Sequence, residues 1–369
     1  MNNLKQILPA LRMTLSQEQL INCRYVADAP SDLLSKAKEV IADDLTDTES
    51  VKAVTKGMAL PFALKTADNE VIVVAATAAD VEGFINGKES NAKYTGRLQG
   101  RIVVITGGAQ GFGAGVADEM FAEGANIVIA DLNEELGNTK AAELNATSES
   151  NQAVFAKVDV SNPESVEQMV LETVSFFGGL DCFVSNAGVL RAGGLDEMDA
   201  KTFAFMTNVN YTGYFNCAKY ASEIMKIQNG FNTNHFADII QINSKSGLKG
   251  SNKNFAYAGG KFGGIGLTQS FALELMPFRI KVNSICPGNF FDGPLWSDPK
   301  NGLFVQYLNA GKVAGAKTIE DVKAFYEAQV PAGRGCEALD VVRAIYYVIE
   351  QQYETGQAVP VTGGQNMLN

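Results

Sequence analysis

A phenol and an ammonium group lie four residues apart in the sequence, at Tyr257 and Lys261. On a helix, residues i and i+4 share one face, so this spacing would place the two groups side by side. A tyrosine hydroxyl can donate a proton to a ketone oxygen or accept one from an alcohol. Because the ordinary pKa of tyrosine is about 10, proton abstraction at neutral pH needs a nearby cation that stabilises the tyrosinate. The pair therefore indicates reversible alcohol oxidation.

Ser244, upstream of the pair, strengthens this interpretation. A Tyr-x-x-x-Lys pair by itself is a weak signal, because the chain has 11 tyrosines and 30 basic residues and such pairs usually form a solvated helix face. Ser244 directly follows the run Ile-Ile-Gln-Ile-Asn, 239–243, which predicts a strand whose carboxyl end is at this serine. A hydroxyl there would face the crevice of an open α/β sheet and hydrogen-bond the substrate oxygen. We therefore predict Ser244, Tyr257 and Lys261 as catalytic residues.

A glycine-rich turn with the sequence T-G-G-A-Q-G-F-G begins at Thr106. It lies between a predicted strand and a predicted helix, where glycines permit a tight turn and let a pyrophosphate approach the N–H groups of the helix N-terminus. A glycine-rich turn alone is weak, since the chain has 36 glycines. The predicted cofactor contacts in this turn are Gly107, Gln110, Gly111, Phe112 and Gly113.

Asp131 ends the next predicted strand. A carboxylate at this position accepts hydrogen bonds from the adenosine ribose hydroxyls and repels the 2′-phosphate of NADP. Asp131 therefore predicts NAD as the cofactor. The alternative is that Asp131 only begins a turn or caps the following helix.

The elements that would position these residues begin near residue 101, where short β-rich apolar runs alternate with helical stretches. This pattern predicts an α/β fold, a Rossmann-type doubly wound parallel sheet of about seven strands. Helices are predicted over 113–123 and 165–177, the second with a capping box at Ser161 and Glu164. The predicted strands cover 101–106, 126–131, 153–158, 181–185, 237–243, 279–285 and 357–361.

Residues 1–96 contain no motif with a chemical mechanism. They combine helical pieces around 31–42 and 78–86 with one strand-like run, 71–75. A polar link with glycines precedes the first predicted strand of the large sheet. We therefore expect an appended N-terminal α/β segment, 1–96, of unknown role and a catalytic domain, 97–369.

Composition excludes several classes of function. The formal net charge of −11 disfavours binding to nucleic acid and to anionic membranes. No apolar run is long enough to span a bilayer, and the N-terminus lacks the apolar core of a signal peptide, so we expect a cytoplasmic protein. Five scattered cysteines and a single histidine predict no metal site.

Taken together, the glycine-rich turn, Asn186-Ala187-Gly188 after the fourth strand and the Ser-Tyr-Lys set resemble the short-chain dehydrogenase/reductase family. The resemblance covers roughly residues 98–369. It implies that Asp159 and Val160, after the third strand, border the adenine, and that Asn186, Ala187 and Gly188 stabilise the sheet beside the cofactor. It further implies that Pro287, Gly288 and Phe290 lie at the nicotinamide.

The family also uses an asparagine that holds a water in a proton relay beneath the lysine. Asn210 matches that position best, Asn208 is the second candidate, and an ordinary helix-surface asparagine is the alternative. The resemblance further implies a homo-oligomer, and we expect a tetramer because members of this family commonly form dimers and tetramers.

Three stretches, 241–247, 261–270 and the tail around 334–336 and 361–365, resemble family members that oxidise a phosphorylated polyol. The expected substrate is therefore a polyol or sugar phosphate. The alternatives are a lactaldehyde-like or other sugar-derived alcohol, and a non-catalytic NAD-sensing regulator, which the complete Ser-Tyr-Lys set argues against. An acidic protein needs local cations to attract an anionic sugar. The candidates for that role are Lys245, Lys249 and Lys253, with Arg191 and Arg334 as substitutes.

Overall fold

A computed structural model describes residues 3–16, 18–88, 90 and 92–367. Its strands are β1 Asn22–Val26, β2 Lys38–Glu39, β3 Phe62–Ala67, β4 Glu70–Ala75, β5 Ile102–Thr106, β6 Asn126–Asp131, β7 Ala153–Lys157, β8 Cys182–Ser185, β9 Ala237–Ile242, β10 Ile280–Pro287 and β11 Ala358–Val361. Its helices are α1 Leu4–Leu15, α2 Ser31–Lys36, α3 Thr48–Thr55, α4 Ala78–Ile85, α5 Gly111–Ala122, α6 Glu134–Asn145, α7 Pro163–Phe177, α8 Ala200–Thr207, α9 Gly213–Phe231, α10 Phe255–Leu275, α11 Pro294–Ser297, α12 Leu303–Asn309, α13 Ile319–Glu327 and α14 Ala338–Glu350.

The large sheet has seven strands in the order β11-β10-β9-β8-β5-β6-β7, and every pair is parallel. This confirms the predicted Rossmann-type sheet, and each strand lies within two residues of its predicted bounds. The direction of winding reverses between β5 and β8. In open α/β sheets, ligands bind at the carboxyl ends of the strands beside such a reversal.

The start of α7 differs from the prediction. Asn162 is its N-cap residue and accepts a hydrogen bond from the Ser165 N–H at 3.0 Å. The Ser161 hydroxyl instead donates to Asp159 Oδ1 at 2.7 Å. The predicted capping box of Ser161 and Glu164 is therefore wrong, because the serine side chain is held by the preceding carboxylate.

The N-terminal residues form a second sheet, with strand order β1-β4-β3-β2. Only β4 and α4 match the expected elements well. The helix expected over 31–42 ends at Lys36, and the next residues pair with β3 as strand β2. β1 and β3 were not expected, because they become strands by pairing with β4 on either side.

The two sheets share one hydrophobic core. Leu8 and Leu11 of α1 belong to the same buried cluster as Val104 of β5 and Phe183 of β8. A buried ion pair also joins the two parts: Arg12 bonds both carboxylate oxygens of Asp181 at 2.9 and 2.7 Å, and neither side chain is exposed. We propose that residues 1–96 are an appended unit that stabilises the catalytic domain from the edge opposite the carboxyl ends of the strands.

The described residues were compared with the requirements for a membrane-spanning helix and for a metal site. No helix among them is long and apolar enough to cross a membrane. Within the same part of the chain, no group of three or more His, Cys, Asp or Glu side chains could hold a metal ion.

Candidate active site

The glycine-rich turn between β5 and α5 leaves no room for side chains at its closest approach. A Cβ at Gly113 would lie 2.0 Å from the Gly107 carbonyl oxygen, and Gly107 and Gly111 have positive φ angles of 62° and 61°. Only glycine adopts these conformations without cost. In the described part of the chain, Gln110 at the N-cap gives α5 no side-chain cap. The first-turn N–H groups are therefore available to a ligand anion.

Asn186 holds this turn against the end of β8. Its side-chain amide donates to the carbonyl oxygens of Thr106 and Gly107 at 2.9 and 3.1 Å. The backbone N–H groups of Asn186 and Ala187 donate to the Thr106 hydroxyl at 3.0 and 3.1 Å. The glycine turn is therefore fixed to the central strands before any ligand binds.

Asp131, at the end of β6, makes two backbone hydrogen bonds. Its Oδ2 accepts from the Ala109 N–H at 3.1 Å, and its Oδ1 accepts from the Asn133 N–H at 3.0 Å. The carboxylate thus begins a turn, as the alternative interpretation expected, but Asn133 caps α6. Each carboxylate oxygen has a further lone pair, so Asp131 can still accept hydrogen bonds from a ligand.

Two aromatic rings stack across the mouth of the site. The rings of Phe112, in the first turn of α5, and Phe290, after β10, are 4.5 Å apart between centroids and inclined by 21°. Gly288, between β10 and Phe290, donates its N–H to the Val361 carbonyl oxygen at 2.8 Å. β11 thereby fixes the segment that follows β10 over the cavity.

Tyr257 lies near the start of α10, and Ser244 follows the end of β9. Ser244 accepts a hydrogen bond from the Ser246 N–H at 3.1 Å, which orients its hydroxyl. Burial raises the pKa of Tyr257 to about 12, and the side chain of Ser244 acts in the opposite direction. In the protein alone, Tyr257 is therefore a proton donor, and proton abstraction needs further stabilisation of its anion.

Lys261 and Asn210 lie beneath Tyr257. Lys261 Nζ donates to the Ile242 carbonyl oxygen at 2.8 Å and lies 5.6 Å from the centroid of the Tyr257 ring. Burial lowers the pKa of Lys261 to about 8. A Cβ at Gly188 would lie 3.0 Å from Asn210 Oδ1 and 3.9 Å from Lys261 Nζ, so the two polar groups converge below Gly188.

The backbone around Asn210 explains this convergence. Residues Asn208–Thr212 form a π-helical turn between α8 and α9. Such turns add a residue to the helix and often lie at functional sites. The turn buries Asn210, whose side chain bonds the N–H and the carbonyl oxygen of Val189 at 2.9 and 2.8 Å. Asn208 is exposed, so the structure favours Asn210 of the two candidates.

Most of the predicted site residues border one cavity of about 480 Å³ at the carboxyl ends of the parallel strands. Gly113 and Asn210 do not line it, because Gly113 packs against Gly107 and Asn210 lies behind Gly188. All other predicted site residues line it: Gly107, Gln110, Gly111, Phe112, Asp131, Asp159, Val160, Asn186, Ala187, Gly188, Ser244, Tyr257, Lys261, Pro287, Gly288 and Phe290.

Sequence reasoning missed the wall opposite the cofactor residues. Trp296, Leu303 and Tyr307 line the cavity from α11 and α12, and Asn254 lines it beside α10. Tyr307 and Asn254 are joined by a hydrogen bond of 2.8 Å. The signal that could have found this wall is the aromatic richness of the segment after β10, where Trp296 packs edge-on against Tyr307.

The family model described as short chain dehydrogenase matches residues 101–296, so the chain belongs to the short-chain dehydrogenase family. Its proteins are dehydrogenases that act on CH–OH groups with a nicotinamide cofactor, and this chain is an oxidoreductase acting on alcohols. The glycine turn and the uncapped N-terminus of α5 fit such a cofactor, which accepts or supplies the hydride when bound.

The chain is similar to sorbitol-6-phosphate 2-dehydrogenase of Escherichia coli (strain K12), with 35% identity over 270 residues that cover 73% of this chain and 99% of the relative. It is 31% identical over 284 residues to trans-4-hydroxycyclohexanecarboxylate dehydrogenase of Sinomonas cyclohexanicum, covering 75% and 97%. The crystal structure of sorbitol-6-phosphate 2-dehydrogenase from Erwinia amylovora matches with a TM-score of 0.66 and 35% identity, covering 72% of this chain and 100% of that one. This chain is longer than these relatives at its N-terminus.

Proposed function

We propose that this protein catalyses the reversible, NAD-dependent oxidation of sorbitol 6-phosphate to fructose 6-phosphate. The C2 carbon would give its hydride to bound NAD, and the C2 hydroxyl would give its proton to the ionised form of Tyr257, which leaves the C2 ketone. The observation that carries the proposal is the single cavity in which Ser244 and Tyr257 lie beside the glycine turn and Asp131. The similarity to two sorbitol-6-phosphate 2-dehydrogenases supports the choice of substrate.

In this proposal each catalytic side chain has a separate task. Ser244 donates a hydrogen bond to the substrate oxygen, and this bond strengthens as negative charge develops. Tyr257 transfers the proton, and the ammonium group of Lys261 favours its ionised form. Asn210 fixes the backbone of Val189 beneath the cavity and holds the water of a proton relay that leads away from Lys261.

A substrate panel tests the proposed function. Purified protein is assayed with NAD and with sorbitol 6-phosphate, unphosphorylated polyols and lactaldehyde. We expect the highest kcat/KM with sorbitol 6-phosphate. A higher kcat/KM with lactaldehyde would contradict the proposed substrate but keep the protein in the same class of enzyme. NAD binding without turnover of any alcohol would favour the alternative, a non-catalytic NAD-sensing regulator.

The cofactor prediction rests on Asp131. A carboxylate that meets the ribose hydroxyls repels an added 2′-phosphate, so we expect NAD to bind about tenfold or more tightly than NADP. Calorimetric titration of each cofactor gives the two dissociation constants. Asp131→Asn keeps an oxygen for the Ala109 N–H but removes the negative charge. It should therefore bring the dissociation constants of NAD and NADP closer together. An unchanged ratio in this variant, or tighter NADP binding by the unaltered protein, would contradict the assignment.

We also propose that the protein is a homo-oligomer and specifically a tetramer, the assembly that is common in this family. Large apolar side chains on the outer faces of α9 and α10 support this: Phe215, Phe262 and Leu273 are 45%, 46% and 82% exposed. Exposed apolar patches on helices commonly mark contacts between subunits.

Light scattering should therefore give a mass well above the 39.4 kDa of one chain. Phe262→Glu is expected to shift the population toward smaller species, because it places a charge within the apolar face. Leu195→Glu is the matched control, since Leu195 is 84% exposed outside these two helices. A monomeric unaltered protein, or equal effects of the two changes, would argue against this interface.

A further inference from the structure

Most of the basic residues expected to hold a substrate phosphate are already neutralised or exposed to solvent. Lys253 pairs with Glu197 at 3.0 Å, and Arg334 bonds both oxygens of the Asp340 carboxylate at 2.6 and 2.9 Å. Lys249 and Arg191 are exposed to solvent. Of the expected set, only Lys245 is partly buried and forms no ion pair within the described residues.

A second lysine, Lys312, has the same character and was not expected from the sequence. It is partly buried, and no ion pair of its side chain occurs in the part of the chain that the structure describes. Its Nζ lies 3.9 Å from the centroid of the Tyr307 ring. It also lies 3.2 Å from the amide oxygen of Asn254, in the orientation that satisfies both polar atoms of that amide.

These contacts place Lys312 directly behind the wall of the active-site cavity. Tyr307 and Asn254 both line the cavity that contains Tyr257 and Ser244. Lys245 lies between Ser244 and Ser246, which both line this cavity, and its carbonyl oxygen accepts from the side-chain amide of Asn366 at 3.0 Å. The two lysines therefore lie next to residues that line the cavity, although neither lysine lines it itself.

The charge of Lys245 acts on Lys312. Burial lowers the pKa of Lys312 to about 8, with the charge of Lys245 as a second cause. Burial and the charge of Lys249 lower the pKa of Lys245. Partly buried like charges without a carboxylate between them are unfavourable, and a bound anion would relieve both the repulsion and the lost hydration.

We propose that Lys245 and Lys312 form the subsite for the substrate's phosphate group, next to the cavity wall that Tyr307 and Asn254 form. This inference rests on the proposed function, because it names the residues that would select a phosphorylated over an unphosphorylated polyol. Tyr307 and Asn254 fix Lys312 in place, and the turn after β9 fixes Lys245 beside Ser244. The subsite thus determines how the carbon chain lies across Ser244 and Tyr257.

Lys312→Met and Lys245→Met test the subsite by kinetics. Methionine keeps an unbranched apolar side chain against Tyr307 but removes the charge. For sorbitol 6-phosphate, we expect each change to lower kcat/KM by about tenfold to a hundredfold, the value of a charged hydrogen bond. For unphosphorylated sorbitol, which carries no phosphate group, the loss of kcat/KM should be much smaller, so the preference for the phosphorylated substrate should fall. Lys317→Met, the same change at an exposed lysine of the same segment, is the matched control.

Calorimetric titration with inorganic phosphate separates the subsite from the proposed function. If the unaltered protein binds phosphate and Lys312→Met does not, the subsite is supported, and a failure to oxidise sorbitol 6-phosphate would then overturn only the function. If sorbitol 6-phosphate is oxidised with equal kcat/KM by all three variants, the subsite is overturned and the function stands. If the unaltered protein neither binds phosphate nor prefers the phosphorylated substrate, both are overturned.

Discussion

Tyr257→Phe is expected to lower kcat for alcohol oxidation by about 10²–10⁴-fold, the usual contribution of a positioned proton-transfer group. The change removes only the hydroxyl oxygen and leaves the ring in the cavity wall beside α12. Cofactor affinity should therefore stay close to that of the unaltered protein, since the glycine turn and Asp131 are untouched.

Two measurements check this prediction: steady-state turnover with sorbitol 6-phosphate, and calorimetric titration with NAD. Tyr353→Phe is the matched control, because Tyr353 is 98% exposed and lies outside the cavity. Turnover within a fewfold of the unaltered protein would remove Tyr257 from the mechanism. Loss of NAD binding would mean that the change has disturbed the cofactor site.

The pH dependence of Tyr257→Phe and Lys261→Met should differ. Burial raises the pKa of Tyr257 to about 12 in the protein alone, so oxidation near neutral pH depends on cations that favour its anion. By the proposed role of Lys261, removing its cation should raise the pKa of Tyr257 further. The rise of kcat with pH during oxidation should then move to higher pH in Lys261→Met, whereas Tyr257→Phe should lose this rise. An unshifted profile in Lys261→Met would show that Lys261 does not stabilise the ionised form of Tyr257.

Arg12→Met is expected to destabilise the fold by about 3–5 kcal/mol, because it leaves the buried carboxylate of Asp181 without its main cation. Asp181 also accepts the Ile102 N–H at 2.8 Å, so it holds the start of β5. The Arg12 guanidinium holds the pKa of Asp181 well below its usual range despite burial. His235 Nε2 lies 3.1 Å from Asp181 Oδ1 but replaces only part of that interaction.

Urea unfolding followed by circular dichroism measures this loss. Lys5→Met is the matched control, because the ion pair of Lys5 with Glu167 is partly exposed and such pairs contribute about 0–1 kcal/mol. The double variant Arg12→Met/Asp181→Asn should recover part of the stability, since it removes the stranded charge. Equal unfolding midpoints for Arg12→Met and the unaltered protein would show that the N-terminal unit does not stabilise the catalytic domain through this pair.

The contacts and strand pairings of the N-terminal unit could not be predicted from the sequence. Arg12 and Asp181 are 169 residues apart, and nothing in either local sequence predicts their contact. β1 and β3 are short, and their pairing with β4 makes them strands. The wall of Trp296 and Tyr307 and the position of Lys312 behind it were likewise set by packing across a segment of short helices.

By contrast, the sequence by itself determined the order of strands and helices in the large domain and the residues at the strand ends. Apolar runs and glycine turns act within a few residues, so β5 with its turn and β9 before Ser244 could be predicted directly. Parallel pairing then brings the carboxyl ends of these strands to one edge. Only the tertiary structure decided which cations near that edge are paired, because Glu197 neutralises Lys253 while no carboxylate of the described residues forms an ion pair with Lys312.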